Sequence, residues 1–161
     1  MKKVLLIILL VIVIGNFFLI SFFMNYSTSG SVVFDFNEVE TGFVSKVIDG
    51  DTVIINGESV RLLGMDTAER GEDCYKEAKV RLEELVLNKE VELSSDVNDK
   101  DQYKRLLRWI LIDGENVNLV MVEEGLAIAR FYEDKKYKNE ILNAEKEARA
   151  NRIGCKWQEL D

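Results

Sequence analysis

The chain of 161 residues contains no histidine, no proline and two cysteines. Each shortage excludes a class of chemistry. Without histidine there is no Ser-His-Asp triad, no Cys-His pair, no HExxH metalloprotease helix and no histidine-ligated haem or zinc. Two cysteines are too few for an all-cysteine zinc site or a disulfide-dense mini-protein. Acid–base work near neutral pH is left to carboxylates, Lys, Tyr, Cys or a metal-bound water. Positive charge is also short, with 21 Lys+Arg against 29 Asp+Glu and a formal net charge of −8. The length suits one ordinary domain able to bury its own core.

The N-terminus reads as a separate segment. Met1-Lys2-Lys3 precedes Val4 to Met24, a run of 21 residues without charge. As a helix rising 1.5 Å per residue it matches a hydrocarbon core of about 30 Å. A cleaved signal peptide has a shorter apolar region and a small-x-small site. The reading is therefore an uncleaved signal anchor over 1–24, with cleavage near Ser27-Thr28-Ser29 and secretion as the alternative. Lys2 and Lys3 precede the span and no basic residue follows until Lys46. The positive-inside rule then puts the N-terminus in the cytoplasm and the remainder outside the cell membrane. Residues 25–40 read as a tether, with Val32 to Phe36 as an additional edge strand or a juxtamembrane contact. Setting Lys2 and Lys3 aside leaves 19 basic against 29 acidic residues, a net of −10.

Residues 41–161 read as one α+β domain. Phe43 to Ile48 is a strand stopped by Asp49-Gly50-Asp51. Thr52 to Ile55 and Ser59 to Leu63 flank Asn56-Gly57, the pair that favours a type I′ hairpin turn. From Glu72 to Leu87 the period becomes helical, with Tyr75, Ala78, Leu82, Leu85 and Val86 on one face. Glu90 to Leu93 and Leu106 to Ile112 are two more strands. Val117 to Glu124 is a short helix closed by Gly125, and a last helix, capped by Asp134, buries Tyr137, Ile141, Ala144 and Ala148. Five short strands with a helix after the third is the element order of an OB-fold barrel.

Charge concentrates where strands end. Arg61 lies inside the apolar strand Val60-Arg61-Leu62-Leu63, where an outward, snorkelling arginine is the ordinary reading. The alternative is a guanidinium fork aimed at a phosphate. Asp51 and Asp66 are ordinary turn residues taken singly, but together they supply hard oxygen ligands of the kind Ca2+ takes. Glu69, three residues past Asp66, is placed to reach a metal-bound water. Phosphodiester hydrolysis needs these parts: a cation on the phosphate, a carboxylate on the attacking water and arginines for the developing charge. Asp96 to Asp101 imitates the start of an EF-hand. It carries Lys100 at a ligand position and Asp101 in place of the required glycine, so it reads as a solvated loop. Arg61, Arg70, Lys100, Lys104, Arg105 and Arg108 are candidates for a local basic ring on an otherwise acidic domain. Such a charge balance predicts salt-dependent binding and a preference for short or single-stranded substrates.

The strings VIDGDTV, VRLLGMDTAE, DQYKRLLRWILIDGENVN and VEEGLAIARFY, in this order and spacing, resemble the staphylococcal nuclease, or thermonuclease, family. The resemblance covers about Thr41 to the last helix and not the apolar N-terminus. It implies an OB barrel with three helices and a Ca2+-dependent phosphodiesterase that acts on DNA and RNA and leaves 3′-phosphate ends. It further implies Asp51 and Asp66 as Ca2+ ligands and Thr67 as the source of a backbone carbonyl. Glu69 matches the carboxylate that positions or deprotonates water, and Arg61 and Arg105 match the phosphate-binding arginines. Tyr103 matches a tyrosine on a nucleotide phosphate, and Phe131 and Tyr132 lie where the family offers an aromatic surface to a base. Three positions depart from the family pattern: Ala68 replaces a proline, Gln102 a lysine, and Lys104 the glycine before Arg105, which returns some charge to the substrate.

Cys74 opens the first soluble helix and Cys155 follows the last. In an exported domain two cysteines usually pair. A Cys74–Cys155 bridge would close about 80 residues, worth roughly 4 kcal/mol in the chain-entropy model. The alternative is two buried thiols. Two other functional readings stand beside the nuclease: an OB module that binds nucleic acid or protein without catalysis, and a structural module for a membrane partner. The presence together of Arg61, Asp66, Glu69 and Arg105 argues against the first of these. No protein partner is indicated.

Overall fold

The computed structural model describes residues 40–158. The expected signal anchor, most of the tether and the segment Val32 to Phe36 lie outside the described residues. Among the described residues no helix is long and apolar enough to cross a membrane.

Strands β1 (Glu40–Val47), β2 (Thr52–Ile55) and β3 (Glu58–Leu62) form an antiparallel meander. Asn56 and Gly57 both take positive φ, 50° and 87°, as the hairpin signal requires. Helix α1 (Tyr75–Val86) follows the short β4 (Met65–Asp66) and buries Ala78, Leu82 and Val86. β5 (Glu90–Ser94) pairs with β1, and β6 (Leu106–Ile112) pairs with β5. β6 also runs parallel to β3, with Arg61 opposite Leu107, and this closes the five long strands into a barrel. β7 (Glu115–Asn116) leads into α2 (Val117–Glu123), and β8 (Ile128–Ala129) pairs with β4. α3 (Lys138–Ala150) completes the described elements and packs on α2.

The core follows the alternation of the strands. Val44, Val53, Val60, Leu62, Trp109 and Ile110 fill the barrel, and Leu82, Met121 and Ile141 seal it from the helices. Asn118 is fully buried and pays its polar debt in full. Its amide oxygen accepts from Ile110 N (3.0 Å), and its amide nitrogen donates to Leu63 O (2.9 Å) and Arg108 O (3.2 Å). That staple holds the end of β3 against β6, where the charged residues emerge.

Asp134 does not cap the last helix. The N-cap is Tyr137, without a side-chain cap bond, and the buried Asp134 carboxylate accepts instead from Val97 N and Asn98 N. Among the described residues the first helix begins at Tyr75 rather than Glu72, because Cys74 takes a left-handed φ of 75°. Cys74 and Cys155 are joined as a disulfide with Cα atoms 5.4 Å apart, tying the start of α1 to the segment after α3.

Candidate active site

The turn between β1 and β2 is closed by Thr52 O, which accepts from Ile48 N at 2.8 Å. Gly50 sits inside it. A Cβ there would lie 2.7 Å from Thr67 Oγ1 and 2.8 Å from Ala78 Cβ, so only glycine lets the turn press against Thr67 and α1. This contact brings the buried Asp51 beside the β4 loop, where Asp51 Oδ2 accepts from Thr67 N at 3.3 Å. Neighbouring Asp49 is affected in turn. Burial pushes its carboxyl up from the ordinary value, and the Asp51 charge adds to the effect.

Arg61 does not snorkel outward. It is 14% exposed and spans two acids, with Nη1 2.7 Å from Asp51 Oδ2 and Nη2 2.6 Å from Asp66 Oδ1. The Nη1 contact is an ion pair without hydrogen-bond alignment, so Nη1 is a buried donor lacking a hydrogen-bond partner. Asp66 presents its second oxygen to Arg130 Nη1 at 2.7 Å. On the other side, Arg105 Nη1 donates to Thr52 Oγ1 (3.3 Å), which itself donates to Asp51 Oδ1 (2.9 Å). Arg130 Nε donates to Tyr132 Oη at 3.0 Å. An unbroken polar chain therefore runs from Arg105 through Thr52, Asp51, Arg61, Asp66 and Arg130 to Tyr132.

Arg105 is aimed by its own loop. Asp101 accepts from Tyr103 N and Arg105 N with one oxygen and from Arg105 Nε (2.7 Å) with the other. Burial raises the Asp101 carboxyl, but the bonds from Arg105 and Tyr103 outweigh it and hold it below its ordinary value. Lys104 turns the loop with a φ of 65°, the conformation a glycine adopts at least cost, and its side chain points into solvent.

These elements enclose a pocket of about 360 Å3. Arg61, Tyr103, Arg105, Phe131 and Tyr132 line it, as do Asp101 and Arg130. Asp51 and Asp66 lie behind it, one guanidinium away. Thr67 is buried beside Asp51, whereas Glu69 is exposed and its backbone N–H donates to Glu72 Oε2 at 2.8 Å. Tyr103 and Tyr132 are 72% and 73% exposed, and each carries an arginine over its ring, Arg105 at 5.5 Å and Arg130 at 5.7 Å.

One sequence expectation needs correction. Arg108 is not part of a basic face: it is buried and paired with Glu40 (2.9 Å) and Asp99 (2.8 Å). Lys100 stays at the surface, 3.9 Å from the exposed Glu58. Arg130 and Asp101 belong to the site and carried no sequence signal beyond adjacency to Phe131-Tyr132 and to the Tyr103–Arg105 run.

For a metal, the donor chemistry is that of a hard cation. Among the described residues no three His, Cys, Asp or Glu side chains form a ready cage. Asp51 and Asp66 nonetheless each turn a carboxylate oxygen to the Arg61 fork, one to each terminal nitrogen. Two carboxylates plus a carbonyl and water fit Ca2+, which tolerates mixed oxygen shells.

The family profile described as Staphylococcal nuclease homologue matches residues 59–159, which include Arg61, Asp66, Glu69 and Arg105. The chain belongs to the staphylococcal nuclease family. It is 35% identical over 130 residues to a thermonuclease of Staphylococcus intermedius, covering 74% of this chain and 77% of that protein. It is 36% identical over 123 residues to an endonuclease of Bacillus subtilis, covering 68% and 58% respectively. A micrococcal nuclease of Shigella flexneri is 32% identical over 131 residues, covering 73% and 74%.

Proposed function

We propose that this nuclease-family chain is a Ca2+-dependent phosphodiesterase that cleaves DNA or RNA in the pocket between Tyr103 and Tyr132. The observation that carries the reading is the placement of Arg61 and Arg105 on one pocket with the Asp51–Asp66 acid pair directly behind Arg61.

The scissile phosphate sits between the two guanidiniums. Arg61 lines the pocket with its fork fixed on Asp51 and Asp66, and Arg105 keeps Nη2 unused among the described residues. Both are donors held in place before charge develops, which is how fixed dipoles and cations lower a phosphoryl-transfer barrier. Glu69 takes the proton of the attacking water. Its carboxylate makes no hydrogen bond or ion pair to the described residues, so it remains available as an acceptor. Asp51, Asp66 and the Thr67 carbonyl would hold Ca2+, whose chemistry is to neutralise and polarise the phosphoryl oxygens. Tyr103 and Tyr132 offer π-faces to unpaired bases, which supports single-stranded or frayed substrate.

The same proposal includes tethering at the cell membrane by residues 1–24, supported by their uncharged run and by Lys2 and Lys3 ahead of it. The test of the chemistry is cleavage of single-stranded DNA and RNA by the full chain with Ca2+ and with chelator. Cleavage only with Ca2+ is expected, and equal rates in both arms refute the metal mechanism. Membrane fractionation of the full chain against a chain lacking residues 1–24 tests the tether.

A further inference from the structure

We propose that Arg130 binds a second phosphate of the substrate strand, next to the one held by Arg61 and Arg105. The inference rests on the nuclease reading of the pocket and names a residue and a subsite beyond it.

Three observations point there. First, the pocket has two lips built alike. One carries Tyr103 with Arg105 over its ring at 5.5 Å, and the other carries Tyr132 with Arg130 over its ring at 5.7 Å. Both pairs line the same cavity. An arginine over an exposed aromatic ring is how a protein offers a strand one base platform and one phosphate contact together. The second lip therefore repeats the chemistry of the first.

Second, Arg130 is more than a partner for Asp66. Arg61 is shared between Asp51 and Asp66, so Arg130 completes the charge balance of the acid pair, but it does so with one nitrogen only. Arg130 spends Nη1 on Asp66 and Nε on the Tyr132 hydroxyl, and both bonds fix the plane of the fork. Nη2 has no protein partner among the described residues, and the side chain is 50% exposed. A fixed, half-exposed guanidinium with an unused donor on a pocket wall is set to receive an oxyanion.

Third, the cations that line the pocket are Arg61, Arg105 and Arg130. Arg108 is buried in ion pairs, Gln102 on the Tyr103 lip is neutral, and Lys104 points into solvent. With Arg61 and Arg105 on the first phosphate, Arg130 is the pocket-lining cation left for a second one. The ligand implied is a strand long enough to present at least two phosphates, with bases free to stack.

The experiment compares the full chain with Arg130→Gln and Arg130→Lys. Anisotropy of a labelled single-stranded oligonucleotide, in chelator to prevent cleavage, gives Kd between low and moderate salt. Arg130→Gln is expected to weaken binding about tenfold and to lower the salt slope by about 0.7, one phosphate contact on a single strand. Arg130→Lys keeps the slope. A mononucleotide monophosphate should bind wild type and Arg130→Gln alike. Unchanged Kd and slope in Arg130→Gln overturn the proposal while leaving the nuclease reading intact. A lower kcat with unchanged Kd overturns it too, since Arg130 would then serve to position Asp66. If wild type neither binds nor cleaves the strand, the nuclease reading falls and this inference with it.

Discussion

Asp96 and Asp134 are a reciprocal pair. Asp96 Oδ2 accepts from Lys135 N and Lys136 N, both at 2.8 Å, while Asp134 Oδ1 accepts from Val97 N (3.1 Å) and Asn98 N (3.4 Å). Each carboxylate closes the other's loop. Asp134 also lines the pocket, so the clasp holds the Tyr132 lip against the barrel.

The clasp predicts an acid-sensitive lip. Burial raises the Asp96 carboxyl, but the Lys136 and Lys135 amides, the Trp109 indole and Val97 N outweigh it and hold it below its ordinary value. A depressed carboxylate stabilises the fold above its unfolded pKa and loses that contribution as pH falls through the folded one. The loss therefore lies below about pH 4. Asp96→Asn should cost about 1–2 kcal/mol at pH 7 and show a shallower acid loss than wild type. Urea melts of both proteins at pH 7 and pH 3 check it, and parallel pH profiles would dismiss the clasp.

If Asp51 and Asp66 hold Ca2+ as proposed, Arg61 competes with the ion for the same two acids. Arg61→Gln leaves buried Asp51 facing Asp66 with no cation between them, and a loss of about 2–3 kcal/mol is expected without metal. Ca2+ should recover more stability in this variant than in wild type, because no guanidinium has to be displaced. Cleavage should fall at least a hundredfold even with Ca2+, since a donor to the developing charge is gone. Thermal melts with and without Ca2+ decide the point. A midpoint that Ca2+ moves no further in the variant than in wild type rejects the shared-ligand reading.

The barrel was legible because its signals are local. Asn56-Gly57 demands positive φ, and the Val/Ile runs alternate with turns of a few residues, so meander, helix and return strands follow in order. Asp51, Arg61 and Asp66 were legible because unlike charges interrupt apolar runs. Arg130 was not, because its partner Asp66 is 64 positions away and nothing in the local pattern marks it. Arg108 was misread for the opposite reason. Its charge suggested solvent, but the exposed Glu40 and Asp99 cover it, from 68 and 9 positions away. The acidic loop from Asp96 is solvent-exposed, as its composition suggested, but nothing local marked Asp134, 36 and 37 positions away, as the acceptor of its amides.

The Cys74–Cys155 bridge should act chiefly on the unfolded chain. The sequence separation is 81 residues, and closing a loop of that size is worth roughly 4 kcal/mol. Reduction should lower the unfolding free energy by about that amount, and the urea midpoint with it, without altering the pocket, since neither cysteine lines it. Parallel denaturation with and without dithiothreitol, together with activity at low urea, tests both halves. Equal midpoints would mean that the unfolded chain is already restrained there.

Glu69 separates chemistry from stability most cleanly. Its side chain is exposed and bonds to no described residue, so Glu69→Gln should leave the melting temperature within about a degree, as surface substitutions usually do. The nearby loop is kept by the backbone, where Glu69 N donates to Glu72 and Glu69 O accepts from Glu72 N at 3.0 Å. If Glu69 takes the proton of the attacking water, kcat should fall by about 10²–10⁴ while oligonucleotide affinity in chelator stays unchanged. Retained kcat would move the base elsewhere. Asp49 is the first place to look, because burial and Asp51 already push its carboxyl upward and it stands two residues from the acid pair. Asp49→Asn, measured beside Glu69→Gln, separates the two: a general base lost from either position removes the acid limb of the kcat profile for that variant alone.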